Sequence, residues 1–289
     1  MPDFDVGQGV ALSEMNAQVD RPIGMFDSGF GGLTVARAVI DLLPSEDLIY
    51  IGDTARYPYG PKPASEVRSY AIELATSLVR DFNAKLIVVA CNTAASVALS
   101  ELQSLLSVPV IGVVEPGARA LVDATKNNRV AVIGTVGTIS SGAYESAVAG
   151  ASRSVSREVS LTAAACPGFV EFVERNETSG QAVTELAENL LASIKSADVD
   201  TLLLGCTHYP YLSQVIGRVM GSGVRLINSA DATASVVRDV LAENNISRSV
   251  EDQVKSSHEF YSSGDVQHFA ELGRRFLGPE LSLAKQWPK

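Results

Sequence analysis

Two cysteines stand in matching surroundings. Leu86-Ile87-Val88-Val89-Ala90 runs into Cys91-Asn92-Thr93, and Leu202-Leu203-Leu204-Gly205 runs into Cys206-Thr207-His208. In each, an apolar, strand-like run ends at a small residue, a thiol follows, and a hydroxyl-bearing segment opens a helix-like stretch. An unperturbed thiol, pKa about 8.5, is only about 3% thiolate at pH 7, so forming the anion costs about 2 kcal/mol. A helix N-terminus and donors such as Thr93 or Thr207 would recover much of that cost. Two opposed thiols suit one reaction type well: a proton leaves one face of a carbon and another returns to the opposite face. One isolated cysteine would read as core, because free Cys is among the most buried residue types. Its repetition in a matching junction is what argues for chemistry. Cys166 lacks that context; it precedes Pro167 and a short helix, and reads as structural.

Asp27 and His208 are the titratable assistants, each at a strand end. Asp27 follows Gly24-Met25-Phe26 and leads into Ser28-Gly29, then Gly31-Gly32. The bland alternatives are a helix N-cap for Asp27 and a hydrogen-bonded structural histidine for His208. The glycines would also allow a phosphate nest, but the chain has neither G-x-x-x-x-G-K-[ST] nor G-x-G-x-x-G.

These residues need elements to position them. Strands are predicted over 22–26, 47–51, 85–90, 110–114, 129–133, 157–162, 200–204, 224–228 and 258–262. Helices are predicted near 32–43, 65–82, 93–106, 116–126, 139–149, 179–196, 211–220, 231–244 and 266–277. Strand-helix alternation with continuous apolar strands gives an α/β fold of mainly parallel sheets covered by helices. The echo between the two cysteine blocks suggests two pseudo-symmetric α/β domains, with the active site in the cleft between them. In such sheets ligands bind beyond the carboxyl ends of the strands, where both thiols fall.

Composition narrows the classes. The 289 residues carry 23 basic and 33 acidic side chains, net −10, which gives no general attraction to nucleic acid or to anionic membrane. No apolar stretch is long enough to span a bilayer. Three widely spaced cysteines without a Cys-x-x-Cys pair speak against a disulfide framework and a zinc ribbon, so no metal is expected. Residues 1–20 hold Asp3, Asp5, Glu14 and Asp20 with no Lys or Arg, and are expected to form a flexible acidic arm. That charge is the opposite of a targeting peptide, and a cytoplasmic location is expected.

Read together, the blocks resemble the glutamate racemases. Asp27-Ser28-Gly29-Phe30-Gly31-Gly32-Leu33 is similar to that family's opening signature. Tyr50-Ile51-Gly52-Asp53 with Pro58-Tyr59-Gly60, Ala90-Cys91-Asn92-Thr93, and Gly205-Cys206-Thr207-His208-Tyr209-Pro210 follow in the family's order. The likeness covers roughly residues 22–245. It implies a cofactor-independent enzyme that interconverts L- and D-glutamate and supplies D-glutamate for peptidoglycan. By the resemblance, Cys91 and Cys206 are the two acid/base thiols, Asp27 assists the first and His208 the second. The family's expected directions are that Cys91 deprotonates D-glutamate and Cys206 L-glutamate. Ser28, Asn92, Thr93 and Thr207, with Tyr59-Gly60, would hold the substrate's ammonium and carboxylates, Asp27 and His208 lying beside it. Glu174 matches the family's second-domain glutamate by spacing, although Glu171 stands where many members carry Pro.

Nothing in the sequence marks a Schiff-base lysine, in keeping with an enzyme without cofactor. Closure of two domains would exclude water from a carbanion formed without an electron sink. The expected division is 21–115 plus 226–289 for a discontinuous first domain and 116–225 for the second. A homodimer is also expected. The alternatives are an aspartate or hydantoin racemase, or a protein that binds an amino acid in the same cleft without exchanging its proton. The family resemblance also raises two partners for the acidic arm, a uridine-nucleotide peptidoglycan precursor and DNA gyrase.

Overall fold

The computed structural model describes residues 18–248 and 256–288. The arm expected over 1–20 therefore lies outside the described residues except for Gln18–Asp20. Two sheets carry the fold. The first has strand order β10-β9-β2-β1-β3-β4, from β1 (Ile23–Asp27), β2 (Leu48–Gly52), β3 (Leu86–Val89), β4 (Val110–Gly112), β9 (His258–Ser262) and β10 (Lys285–Gln286). The second runs β6-β5-β7-β8, from β5 (Arg129–Gly134), β6 (Ser160–Ala165), β7 (Thr201–Gly205) and β8 (Arg225–Asn228). Every pairing in both sheets is parallel.

The strand order explains the echo in the sequence. Within the first sheet the run β2-β1-β3-β4 has the same order as β6-β5-β7-β8 in the second. Each has its reversal of winding between its first and third strands, which is where open parallel sheets bind ligands. Cys91 follows β3 and Cys206 follows β7, so each thiol sits at the equivalent switch point of its own sheet. Asp27 ends β1, the other strand of the first switch point.

Eleven helices connect and cover the sheets among the described residues: α1 (Leu33–Leu42), α2 (Ala64–Arg80), α3 (Asn92–Leu105), α4 (Val114–Ala124), α5 (Val136–Ser140), α6 (Ala143–Ser154), α7 (Phe169–Glu174), α8 (Gln181–Ser196), α9 (Ser213–Met220), α10 (Ala230–Glu243) and α11 (Val266–Leu277). The central strands β1, β3 and β7 are buried throughout, as continuous apolar runs covered on both faces must be. One core surrounds the first sheet and extends to Val130, Val132 and Leu203 on one face of the second. Another, with Ile133, Leu202, Leu204, Phe169 and Tyr209, fills the second sheet's other face. The halves thus share apolar packing away from the strand ends.

Three local departures have physical causes. The strand expected over 157–162 begins only at Ser160, because Arg157 serves as a clamp. Its guanidinium donates to Val122 O, Thr125 O and Asn128 Oδ1, and Ser160 N then enters the ladder on Asn128 O. The helix expected over 139–149 is two helices, α5 and α6, broken where Gly142 takes φ +69°. The stretch expected as one helix over 211–220 starts with a 3-10 turn, Tyr209–Leu212, before α9. The short edge strand β10 was not expected at all; two residues give no periodicity to read.

A buried ion pair ties the opposite end of the first sheet. Lys85 Nζ lies 2.6 Å from Glu46 Oε2, both side chains almost fully buried, and Glu46 Oε1 also accepts from Arg248 N. Removing one member strands the other charge, at a cost of about 3–5 kcal/mol. Urea unfolding of Lys85→Met is therefore expected to show a loss in that range, with the Lys85→Met/Glu46→Gln pair less destabilised than the single change. Wild-type stability in the single variant would contradict this account.

Candidate active site

Cys91 is the N-cap of α3, and its sulfur accepts from Ala94 N at 3.5 Å. Ser28 Oγ stands 3.7 Å from the same sulfur. The thiol thus sits at a helix N-terminus as the sequence implies, but its partners are Ala94, whose N–H donates to the sulfur, and Ser28, whose Oγ accepts from the thiol. Thr93 is engaged elsewhere: its hydroxyl meets Thr135 Oγ1 at 2.9 Å and Thr138 Oγ1 at 3.2 Å, across on the second sheet's side. Burial, followed by the neighbouring charge of Asp27, pushes the Cys91 thiol up to about 12 against the pull of its hydrogen bonds with Ala94 and Ser28. Forming the thiolate at neutral pH is therefore unfavourable, and the resting group is the thiol.

Asp27 is fully buried at the end of β1. It is not the cap of the helix that follows, whose N-cap is Gly32 without a side-chain bond. Asp27 Oδ2 instead accepts from Gly29 N at 2.9 Å, and Oδ1 has no protein hydrogen bond among the described residues. Burial raises its pKa, opposed by His208 and by the Gly29 and Gly32 amides. A carboxylate of raised basicity beside a thiol is suited to take that thiol's proton.

The second half supplies Cys206, Thr207 and His208, all buried. His208 Nε2 lies 3.5 Å from Glu174 Oε1 at the end of α7. Glu171 thus leaves α7 intact, and Glu174 reaches the histidine. Burial works against protonating His208, but Cys206, Glu174 and the charge of Asp27 outweigh it and carry its pKa up to about 10. The imidazole is therefore a cation and a proton donor near neutral pH.

Several contacts bring the two strand-end clusters face to face. At Gly31 a Cβ would stand 2.2 Å from Thr207 Oγ1 and 2.5 Å from His208 Nδ1, so only glycine fits. Gly137 N donates to Gly60 O at 3.0 Å. Tyr144 OH donates to Asn92 Oδ1 at 2.6 Å, and its ring edge lies 3.0 Å from where a Cβ on Gly205 would be, beside Cys206. Asn92 Nδ2 is buried without a protein partner among the described residues. Of the expected substrate contacts, the Tyr59 phenol is committed to Asp53, leaving the backbone around Gly60 to face the second sheet. Cys166 is buried, its carbonyl accepts from Tyr209 OH at 2.9 Å, and burial pushes its thiol up to about 12.

Residue reasoning missed Thr135, Thr138 and Tyr144. The two threonines follow β5, the first strand of the second switch point, so strand order would have located them. Tyr144 has no such signal, since only the break at Gly142 aims α6 at Asn92. No cluster of three or more His, Cys, Asp or Glu among the described residues is arranged to hold a metal ion. No helix among them is long and apolar enough to cross a membrane. A groove of about 500 Å3 among α3, α4 and α6 holds neither thiol; Glu115 and Arg119 are its charged side chains.

Known proteins resemble this chain in sequence and fold. Residues 33–237 match the model of the Asp/Glu/Hydantoin racemase family. The chain is 51% identical over 267 residues to the glutamate racemase of Parafrankia sp. (strain EAN1pec), covering 92% of this chain and 94% of that one. The crystal structure of glutamate racemase from Francisella tularensis in complex with D-glutamate superposes with TM-score 0.85 at 32% identity, covering 93% of this chain and 98% of that one. The Escherichia coli glutamate racemase in complex with L-glutamate and the activator UDP-MurNAc-ala gives TM-score 0.71 at 26% identity, covering 89% and 95%.

The raised pKa of His208 links stability to pH. Its folded-state pKa exceeds the unfolded value of about 6.5, so its contribution is full below that pH and is lost as pH rises toward 10. Urea unfolding between pH 6 and 10 should show that loss in the wild type and a flatter slope in His208→Asn. An unchanged slope in the variant would contradict the assignment.

Proposed function

The chain belongs to the Asp/Glu/Hydantoin racemase family, and on that premise we propose that it interconverts L- and D-glutamate using Cys91 and Cys206. The carrying observation is the placement of the two thiols at equivalent switch points of two sheets whose strand ends meet. Inversion at carbon needs an acid and a base on opposite faces of the α-carbon, and one sheet edge presents its groups from one side only.

The chemistry assigned to each residue follows from its surroundings. In one direction Asp27 takes the Cys91 proton, the thiolate removes the α-proton of D-glutamate, and the Cys206 thiol returns a proton to the other face. His208, a cation beside Cys206, then restores that proton. The reverse direction runs from the state so produced: neutral His208 takes the Cys206 proton, and the Cys206 thiolate removes the α-proton of L-glutamate. The Cys91 thiol returns a proton to the other face, and protonated Asp27 restores it. The developing carbanion is stabilised by fixed donors in a site screened from water. Ser28, Asn92, Thr93, Thr207 and the Tyr59-Gly60 backbone hold the ammonium and carboxylates. Such a mechanism requires no cofactor.

Residues 21–115 plus 226–289 and residues 116–225 would move as two domains closing on the substrate. D-glutamate made in the cytoplasm would enter peptidoglycan. By likeness to the Escherichia coli enzyme, a uridine-nucleotide precursor of that polymer is the effector to examine.

Proton NMR of L-glutamate in D2O with reduced protein and no added cofactor tests the reading. The wild type is expected to convert the α-proton signal to deuterated D-glutamate. Cys91→Ala and Cys206→Ala should each lose racemisation by at least about 1,000-fold, the scale of losing an acid/base group. Binding of glutamate without exchange or inversion would leave an amino-acid-binding protein as the better reading.

A further inference from the structure

Tyr57 lies in the loop after β2 and reaches from the first sheet into the Cys206 side of the cleft. Its ring is tilted against the His208 imidazole with centroids 6.2 Å apart, and it meets Phe30 edge-on at the same separation. Glycine at position 29 leaves room for it, since a Cβ there would stand 2.9 Å from Tyr57 Cδ2. The hydroxyl is buried and faces the Glu174 carboxylate; burial first, then the charge of Glu174, raises the phenol's pKa and keeps it a donor. Tyr57 OH, Glu174 Oε1 and His208 Nε2 are all buried, and none completes a hydrogen bond of ordinary geometry. Glu174 closes a six-residue helix and its side chain is 22% exposed, so an unrestrained carboxylate can turn toward water.

We propose that Tyr57 is a positioning residue: its hydroxyl donates to Glu174 and holds that carboxylate against His208, which faces Cys206. The proposal rests on the reading of Cys206 and His208 as an acid/base pair. The carboxylate is part-exposed at the end of a short helix, whereas the phenol is anchored by its ring contacts with Phe30 and His208. A second donor to the carboxylate therefore converts a loose 3.5 Å approach into a defined one. Around His208 the charged and titratable groups are Cys206 on its own segment, Glu174 on α7, Asp27 on β1 and Tyr57, with Phe276 of α11 packed edge-on. Of these, Tyr57 alone comes from the loop after β2, so it joins the assembly of this pair to the docking of the two halves.

Racemisation by wild type, Tyr57→Phe, Glu174→Gln and the double variant, followed from pH 6 to 10, tests this. Phenylalanine keeps the ring contacts and removes only the hydroxyl, so the unfolding midpoint should be unchanged. Tyr57→Phe is expected to lower kcat about three- to tenfold with KM within about twofold. Its high-pH limb, where His208 loses its proton, should move down by about half a unit or more. In the Glu174→Gln background the same change should cost less than about twofold, as for residues acting through one another. An active wild type with an unaltered Tyr57→Phe rate and pH profile overturns the proposal alone, as does an equal loss in both backgrounds. A wild type that does not racemise glutamate overturns the functional reading and the proposal with it.

Discussion

At Gly31 the backbone of the first half passes so close to the second that a Cβ would lie 2.2 Å from Thr207 Oγ1 and 2.5 Å from His208 Nδ1. The absence of a side chain at Gly31 lets the Asp27–Gly31 loop and the Cys206–His208 segment approach this closely. Other bridges cross the cleft at the same closeness: Thr93 with Thr135, Gly60 with Gly137 and Asn92 with Tyr144. A parallel sheet offers its carboxyl-end residues in a row on one side. Two sheets with the same strand order, set with their switch points opposed, offer groups from two sides. The apolar core that runs from the first sheet to Val130, Val132 and Leu203 keeps them so placed.

The electrostatics follow from the same closeness. Excluding water raises Asp27 and Cys91, and it leaves His208 charged only because Cys206, Glu174 and Asp27 surround it. The two sides are thus prepared differently. One rests as a thiol beside a carboxylate of raised basicity, the other beside an imidazolium. A proton entering on one face and leaving on the other exchanges those roles without bringing an extra charge into the buried site. Fixed donors in a low-dielectric cleft act more strongly on a developing carbanion than water would, and they need no reorganisation.

Much of this was legible in the residues. Apolar runs ending in Cys91 and Cys206 marked both strand ends, and alternation of strands and helices gave parallel sheets. What could not be read has a tertiary cause. The Cys91 pKa is set by burial and by Asp27 more than by the helix terminus that local sequence implies. The Tyr59 hydroxyl is turned away by Asp53, a residue set on β2's end, which no spacing rule relates to it. Thr135 and Tyr144 reach the site through the docking of the second sheet on the first. The start of β6 depends on Arg157 finding three acceptors on other segments. Edges and cross-sheet partners are long-range facts, and periodicity is a short-range signal.

The central claim is that two different groups serve the two faces of the α-carbon. The most direct measurement follows the label at early times, starting from L-glutamate bearing protium at Cα in D2O. With two bases, the first D-glutamate formed carries deuterium while the remaining L-glutamate keeps its protium. If one group served both faces, its abstracted protium would be carried across, and early D-glutamate would retain it. That outcome would contradict the account.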